Sequence, residues 1–288
     1  MRVATLGDGR VGVVEGSKVY PLPGFEGSKA GQISAMRRLI EVMDAGEWGF
    51  TGPKSDPLSL DQVSFLPPVP DPGKILAAPV NYIDHQIEMN EDVQVSGLGL
   101  FLKSPSSIVG HGGEVELPYT DRRFDFEGEV AVVIGRRARK VSAADALEHV
   151  FGFTPLMDMT MRGSEDRSTR KSFETFTPMG PWIVTLDEVD QIGNLDFTCR
   201  VNDQVRQDAN TSDLIWGFAE LVAYASSITT LNPGDIITSG TPAGVGPVVD
   251  GDVIKLDVQG VEAALTVKVT SRHAVLCPTT GGASGSGL

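Results

Sequence analysis

The chain has 288 residues, 41% of them hydrophobic, enough to bury a large core as one big domain or one plus a small appendage. Its 38 acidic residues against 24 basic ones give a formal charge of −14, which argues against nucleic acid and against an anionic membrane surface as partners. No apolar stretch reaches the ~18–20 residues that span a bilayer, and Met1-Arg-Val-Ala-Thr-Leu-Gly lacks the apolar core of a signal peptide, so a cytoplasmic protein is expected. The two cysteines, Cys199 and Cys277, fit reduced thiols better than a disulfide framework.

In chain order, Val3-Ala-Thr-Leu and Val11-Gly-Val-Val flank a Gly-Asp-Gly turn and predict a hairpin, and a helix is expected from Ser34 to about Ala45. The stretch Leu66-Pro-Pro-Val-Pro-Asp-Pro-Gly73 then interrupts regular structure. It sets a boundary near residue 70 between a small N-terminal domain, 1–70, and a main domain, 71–280. Strand-like runs follow at Lys74 to Ala78, Gly99 to Lys103, Glu127 to Gly135, Pro181 to Thr185, Asp196 to Asn202, Asp235 to Ser239, Val253 to Val258 and Ala264 to Val269. Helices are expected over Ala143 to Val150, capped by Ser142 with Asp145 three residues on, and from Ser212 to about Ser227. The fold class is α+β, mostly β. The last eight residues, 281–288, have linker composition and are expected to be a flexible tail.

Glu127 and Glu129 stand two apart at the head of the run Gly128-Glu-Val-Ala-Val-Val-Ile-Gly135, so on a strand they share a face. The run is apolar on both faces, as an interior strand is. Two carboxylates entering such a strand repel each other and lose hydration unless a cation sits beside them, and with Asp158 they read as a hard-metal site. A pair at a solvated strand end would show the same spacing. In Asn81-Tyr-Ile-Asp-His-Gln-Ile-Glu88, His85 and Glu88 are three apart and meet on a helical turn, where the carboxylate would orient the imidazole as a general base; two surface residues would again show the same spacing. Arg162, Arg167, Arg170 and Lys171 cluster just after Asp158, which suits an anionic substrate, although Arg167 and Arg170 are assigned to a solvated loop paired with Glu165 and Asp166. Thr241 and the amides of the Gly-rich run Gly240-Thr-Pro-Ala-Gly-Val-Gly246 could hold an oxyanion. That run lacks the pattern of a nucleotide-binding loop.

The order of these segments, together with Phe101-Leu-Lys103 and Lys171-Ser-Phe-Glu-Thr-Phe-Thr-Pro-Met-Gly-Pro181, resembles the fumarylacetoacetate hydrolase family over roughly residues 70 to 270. The resemblance implies a mixed β-roll or sandwich, Mg²⁺ or Mn²⁺ (Ca²⁺ being able to stand in within crystals), a homodimer, and a small anionic keto-acid substrate. By motif position it makes Glu127, Glu129 and Asp158 the metal ligands, His85 and Glu88 a catalytic dyad on a lid running from about Ile83 to Gly97, Lys171 a further catalytic residue, and Arg162, Thr241 and Tyr82 substrate contacts. The implied reaction is hydrolysis of a carbon–carbon bond in a 2,4-diketo acid, an acylpyruvate or diketo-deoxy sugar acid, to pyruvate and a second acid. A β-keto acid decarboxylase acting on an oxaloacetate-like compound, or an isomerase of a 2-hydroxy-diene-dioate, could use the same site. A zinc hydrolase lacks its His or Cys ligands here, and a metal-stabilised binding module would not need the His–Glu dyad. The sequence departs from the family pattern where Met157 precedes the metal Asp and Thr160-Met-Arg-Gly-Ser-Glu165 follows it, and this bears on substrate identity.

Overall fold

The computed structural model describes residues 1–29, 31–46 and 55–279; the expected tail at 281–288 lies outside them. The interior strand anticipated after Glu127 forms over Gly128–Ile134, and every one of its residues is buried. It pairs antiparallel with Val150–Met157 on one side and Ile236–Thr238 on the other, deep inside a twelve-stranded mixed sheet. Beyond Ile236–Thr238 the sheet continues in parallel to Ile75–Ala77 and reaches an edge at Phe101–Lys103. In the other direction Val150–Met157 pairs with Ile183–Thr185, which receives Arg2–Thr5 of the N-terminal hairpin.

The chain is therefore mostly β, with its helices short and peripheral. A five-stranded sheet, Gln204–Asn210, Asp196–Val201, Val253–Val258, Ala263–Thr270 and Glu114–Glu116, supplies the second layer. Phe197, Cys199, Leu256 and Leu265 from that layer and Val130, Val132 and Phe153 from the large sheet belong to one core and are fully buried, and each large apolar side chain removed from water contributes about 1.5–3 kcal/mol. A three-stranded sheet, Thr160–Met161, Phe124–Phe126 and Gly246–Pro247, adjoins the strand ends where Glu127 and Asp158 emerge. The N-terminal hairpin closes over helix Ala35–Asp44, whose Ser34 accepts a hydrogen bond from the Arg37 amide as the N-cap, and this second core includes Val133 and Phe151 of the large sheet.

Two expected helices come out differently. Ser142 does accept from the Asp145 amide, but only a 3₁₀ turn, Ala146–His149, follows, because Val150 is already paired with Ile134 in the sheet. Likewise the helix expected from Ser212 begins only at Phe218 and runs to Ile228. Residues 214–216 are drawn away from helical geometry by Asn81: the Ile215 amide donates to its carbonyl and the Trp216 amide to its Oδ1, both at 2.8 Å.

Gly128 shows why the sheets can approach so closely at the site. A Cβ there would meet Gln207 Oε1 at 2.9 Å, Leu256 Cδ1 at 3.1 Å and Cys199 Cβ at 3.2 Å. Gly128→Ala should therefore cost about 1–3 kcal/mol through overpacking, read as a lower urea midpoint with an unchanged m-value; an unchanged midpoint would mean that the layers have slack here.

Candidate active site

The antiparallel register assembles three carboxylates. Gly128 lies opposite Met157, so the next residue outward on each strand, Glu127 and Asp158, are also neighbours, and the Asp158 amide donates to the Glu127 carbonyl at 2.8 Å. Glu129 joins Glu127 on the same face by strand alternation. All three are buried, and ligand oxygens from each lie within 4.8 Å of one another. An all-carboxylate donor set of this size fits a hard cation such as Mg²⁺ or Mn²⁺.

Cations from three separate segments compensate this cluster. Lys171 Nζ donates to Glu127 Oε2 and Asp158 Oδ2, each at 2.7 Å, and to Thr160 Oγ1 at 2.6 Å. Lys103, fully buried on the edge strand, donates to Asp158 and to the carbonyls of Lys171 and Phe176. Arg162 donates from Nε to Asp125 Oδ2 at 2.6 Å and sets its Nη2 3.3 Å from Glu127 Oε1. The Lys171 loop is in turn held by aromatic edges, with Phe176 5.1 Å from Phe173 and 5.8 Å from Phe124, centroid to centroid.

Burial works to raise the pKa of both glutamates, and the neighbours decide the net result. For Glu127 the charges of Lys171 and Arg162 outweigh burial and bring it down to about 2. For Glu129 burial is reinforced by Asp158, and it is pushed up to about 8. Burial works against the Lys171 ammonium, but Asp158 and Glu127 together hold it above its ordinary value. Lys103, with burial the larger influence, lies below its ordinary value.

Across the cavity, His85 is buried on the short helix Ile83–Glu88, and its Nδ1 lies 3.4 Å from Glu88 Oε2. The Glu88 carboxylate also accepts from the Gly244 amide at 3.0 and 3.2 Å. Gly244 adopts a φ of +95°, and a Cβ there would stand 2.0 Å from the Arg206 carbonyl oxygen, so the contact depends on glycine. The lid, which the sequence suggests is loosely anchored, is further tied by fully buried Val95, whose amide donates to the Val80 carbonyl at 3.1 Å. At its N-terminal end Asn81 is saturated: Nδ2 donates to the Trp216 and Ser239 carbonyls and Oδ1 accepts from the Trp216 amide.

The cavity so formed is lined by His85, Glu127, Glu129, Asp158, Arg162, Lys171 and Thr241, which the sequence singled out, and by Arg167 and Arg170. The last two are a correction. Glu165 is engaged by Arg122 at 3.1 Å and Thr279 at 2.6 Å, and Asp166 accepts from the Ser168 amide at 2.8 Å, so neither acid pairs with Arg167 or Arg170. Tyr82 does not reach the cavity: its ring is fully buried in the main core, its hydroxyl has no hydrogen-bond partner among the described residues, and burial raises its pKa above the ordinary phenol value. Thr241 lines the cavity with its hydroxyl already used, donating to the Gly128 carbonyl at 2.9 Å and accepting from Gln207 Nε2 at 2.7 Å. Sequence reasoning missed Gln207 and Lys103. Gln207 is the one buried residue of the polar strand Gln204–Asn210 and clamps the Gly128 amide to the Gly-rich loop, while Lys103 turns inward beside exposed Leu102. Strand alternation was the available signal for both, but it does not say which face is inside.

The family profile for the fumarylacetoacetate (FAA) hydrolase C-terminal domain matches residues 74–270. A maleylpyruvate hydrolase from Aquipseudomonas alcaligenes is 41% identical over 94% of this chain and all of its own length. The crystal structure of maleylpyruvate hydrolase from Sphingobium sp. SYK-6 in complex with manganese(II) and pyruvate superposes with a TM-score of 0.81 at 40% identity, over 94% of this chain and 99% of that one. A mitochondrial oxaloacetate tautomerase from Xenopus laevis is 35% identical over 77% of this chain and 75% of its own.

Glu129 generates a pH prediction. A metal takes the carboxylate, not the acid, so below about pH 8 its binding should expel a proton, and Mn²⁺ affinity should fall with each unit of acidification by up to about tenfold. Titration calorimetry from pH 6 to 9 in buffers of different ionisation enthalpy reads both quantities; a flat profile with no proton release would mean that Glu129 is ionised before the metal arrives.

Proposed function

This chain belongs to the fumarylacetoacetate hydrolase family, and on that premise we propose that it is a Mg²⁺- or Mn²⁺-dependent hydrolase that cleaves a carbon–carbon bond of a small 2,4-diketo acid to pyruvate and a second acid. The observation that carries the reading is one cavity lined by a buried carboxylate triad on one side and by His85, backed by Glu88, on the other. The maleylpyruvate hydrolases, one of them described with manganese and pyruvate, support it.

Glu127, Glu129 and Asp158 would hold the ion, which when bound supplies Lewis-acid polarisation of the keto acid's oxygens. His85 faces Glu88 through Nδ1, leaving Nε2 to take a proton from water. The hydroxide so formed attacks the distal carbonyl carbon, and the tetrahedral oxyanion collapses by breaking the bond to the neighbouring carbon. That carbon leaves as the enolate of pyruvate and recovers the proton, so the elements of water are divided between the two products. Lys171, kept charged by Glu127 and Asp158, does not act as the base; with its three N–H bonds directed at Glu127, Asp158 and Thr160 it stabilises negative charge through its field, with Arg162 and the Thr241 loop framing the substrate. Decarboxylation or tautomerisation on the same triad would not need an attacking water, and the Gly244-supported dyad favours the hydrolytic reading. We further read the protein as a cytoplasmic homodimer, with Ile83 and Ile87 exposed on the lid helix and Leu102 exposed on the edge strand as apolar surface a second copy could cover.

Chelation should abolish turnover of acylpyruvates, and added Mg²⁺ or Mn²⁺ should restore it with pyruvate and the second acid formed in equal amounts. Evolution of CO₂ from oxaloacetate, or enol–keto interconversion without cleavage, would sink the hydrolase reading. His85→Ala should keep Mn²⁺ affinity while losing on the order of 100-fold in kcat, the usual worth of a positioned base; wild-type turnover in that variant would remove His85 from the mechanism.

A further inference from the structure

Gln207 is buried on a mostly exposed, polar strand, Gln204–Asn210, at the edge of the five-stranded sheet. A bulge turns it inward. Gln207 pairs with Cys199 and Val205 with Arg200, so Arg206 is an extra residue on its strand, and Val205 stays exposed while Gln207 is buried. The orientation of the amide follows from its neighbours. The Gly128 N–H, 2.9 Å away, only donates, and the Pro242 carbonyl, 3.0 Å away, only accepts, so Oε1 faces the first and Nε2 the second. Nε2 also donates to Thr241 Oγ1 at 2.7 Å, and that hydroxyl in turn donates to the Gly128 carbonyl at 2.9 Å. Thr241 and Pro242 are thereby fixed relative to the strand that carries the carboxylates.

Two residues further on, Gly244 lies against the bulge itself, where a Cβ would stand 2.0 Å from the Arg206 carbonyl oxygen and 3.3 Å from Gln207 Cγ. From that position its amide donates to the Glu88 carboxylate at 3.0 and 3.2 Å. The Glu88 side chain is 34% exposed, and among the described residues the Gly244 amide and His85 Nδ1 are the groups that engage it. Without the amide the carboxylate can turn to water, and the imidazole loses the acceptor that keeps its proton on Nδ1. Gln207 lies outside the cavity lining and touches neither member of the dyad. We propose that Gln207 is the positioning residue that fixes the tautomer of His85, acting through the Thr241–Pro242 turn, Gly244 and Glu88. The assignment rests on the reading above that His85 is the general base, whose Nε2 must be bare to take a proton from water. It also gives a reason for a buried amide on this strand, since such a group is costly to desolvate unless both its ends are met.

Nitrogen NMR on the protein carrying isotope-labelled histidine reads the tautomer directly. At about pH 9, above the ordinary histidine range, the wild type should show His85 with Nδ1 protonated and Nε2 bare, its signals identified by their loss in His85→Ala. Gln207→Met, of similar length and without either polar end, should shift His85 toward the Nε2-protonated form. So should Gly244→Ala, which forces the loop off the Arg206 carbonyl with Gln207 still in place. Both should lose up to about 100-fold in kcat through misplacement of the base, with Mn²⁺ affinity unchanged in Gly244→Ala. In a Glu88→Ala background, where the link is already cut, neither should cost a further loss. A wild type with its proton on Nε2, a tautomer unmoved by Gln207→Met, or a kcat loss that simply adds to that of Glu88→Ala overturns the proposal and leaves Gln207 a packing residue. Should Gln207→Met not fold, Thr241→Val removes the hydroxyl that accepts from Nε2, and an unmoved tautomer there overturns the proposal equally. If the tautomer moves as expected in a protein that releases no pyruvate from any diketo acid, Gln207 keeps its role and the hydrolase reading falls.

Discussion

Three buried carboxylates within 4.8 Å of one another are the constraint around which this molecule is arranged. At about 4 Å and an effective dielectric near 20, each pair of like charges repels by roughly 4 kcal/mol, comparable to much of a domain's net stability. The cluster is tolerated because cations converge on it from distant parts of the chain: Lys103 from the edge strand, Arg162 from the three-stranded sheet and Lys171 from the loop after the one-turn helix. Each is held by something other than the carboxylates. Lys103 also donates to two main-chain carbonyls, Arg162 to Asp125, and the Lys171 segment is pinned by its aromatic neighbours.

The same network separates two glutamates that sequence and burial treat alike. Glu127 and Glu129 share a face of one chain segment, and dehydration pushes both toward the neutral form. Glu127 has two cations against it and stays ionised, whereas the charges of Asp158 and Glu127 add to the burial of Glu129, and the Thr238 hydroxyl and the Lys171 charge lower its pKa too little to compensate. The cluster therefore carries less negative charge than its composition suggests. It is set to gain charge when a divalent ion arrives, and this couples metal loading to proton release.

Geometry reaches the opposite wall of the cavity through main-chain contacts. Gln207 fixes the Gly128 amide to the Gly-rich loop, that loop presents Gly244 to Glu88, and Glu88 lies against His85. The strand bearing the carboxylates and the lid bearing the imidazole are thus linked by four short steps, each with a buried or backbone partner. The first of these steps depends on the close approach of the two large sheets at Gly128, which brings Gln207 within reach of its amide.

What could be read from the sequence was what depends on local spacing. The Glu127–Glu129 pair, the His85–Glu88 turn, the interior strand and the helix after Ser34 all follow from periods of two or three to four residues, and they appear where expected. What could not be read depends on which distant segment competes for a group. The helix expected from Ser212 lost its first turns to Asn81, far away in sequence, and the one after Ser142 lost to the sheet partner of Val150. Charge follows the same rule. Glu165 and Asp166 are the natural sequence partners of Arg167 and Arg170, yet Arg122 takes the first and a helix cap the second, so two cations that looked satisfied on the chain are left facing the cavity. A guanidinium is most available to a ligand where the fold has removed its neighbours, and that removal is a tertiary event with no local signature.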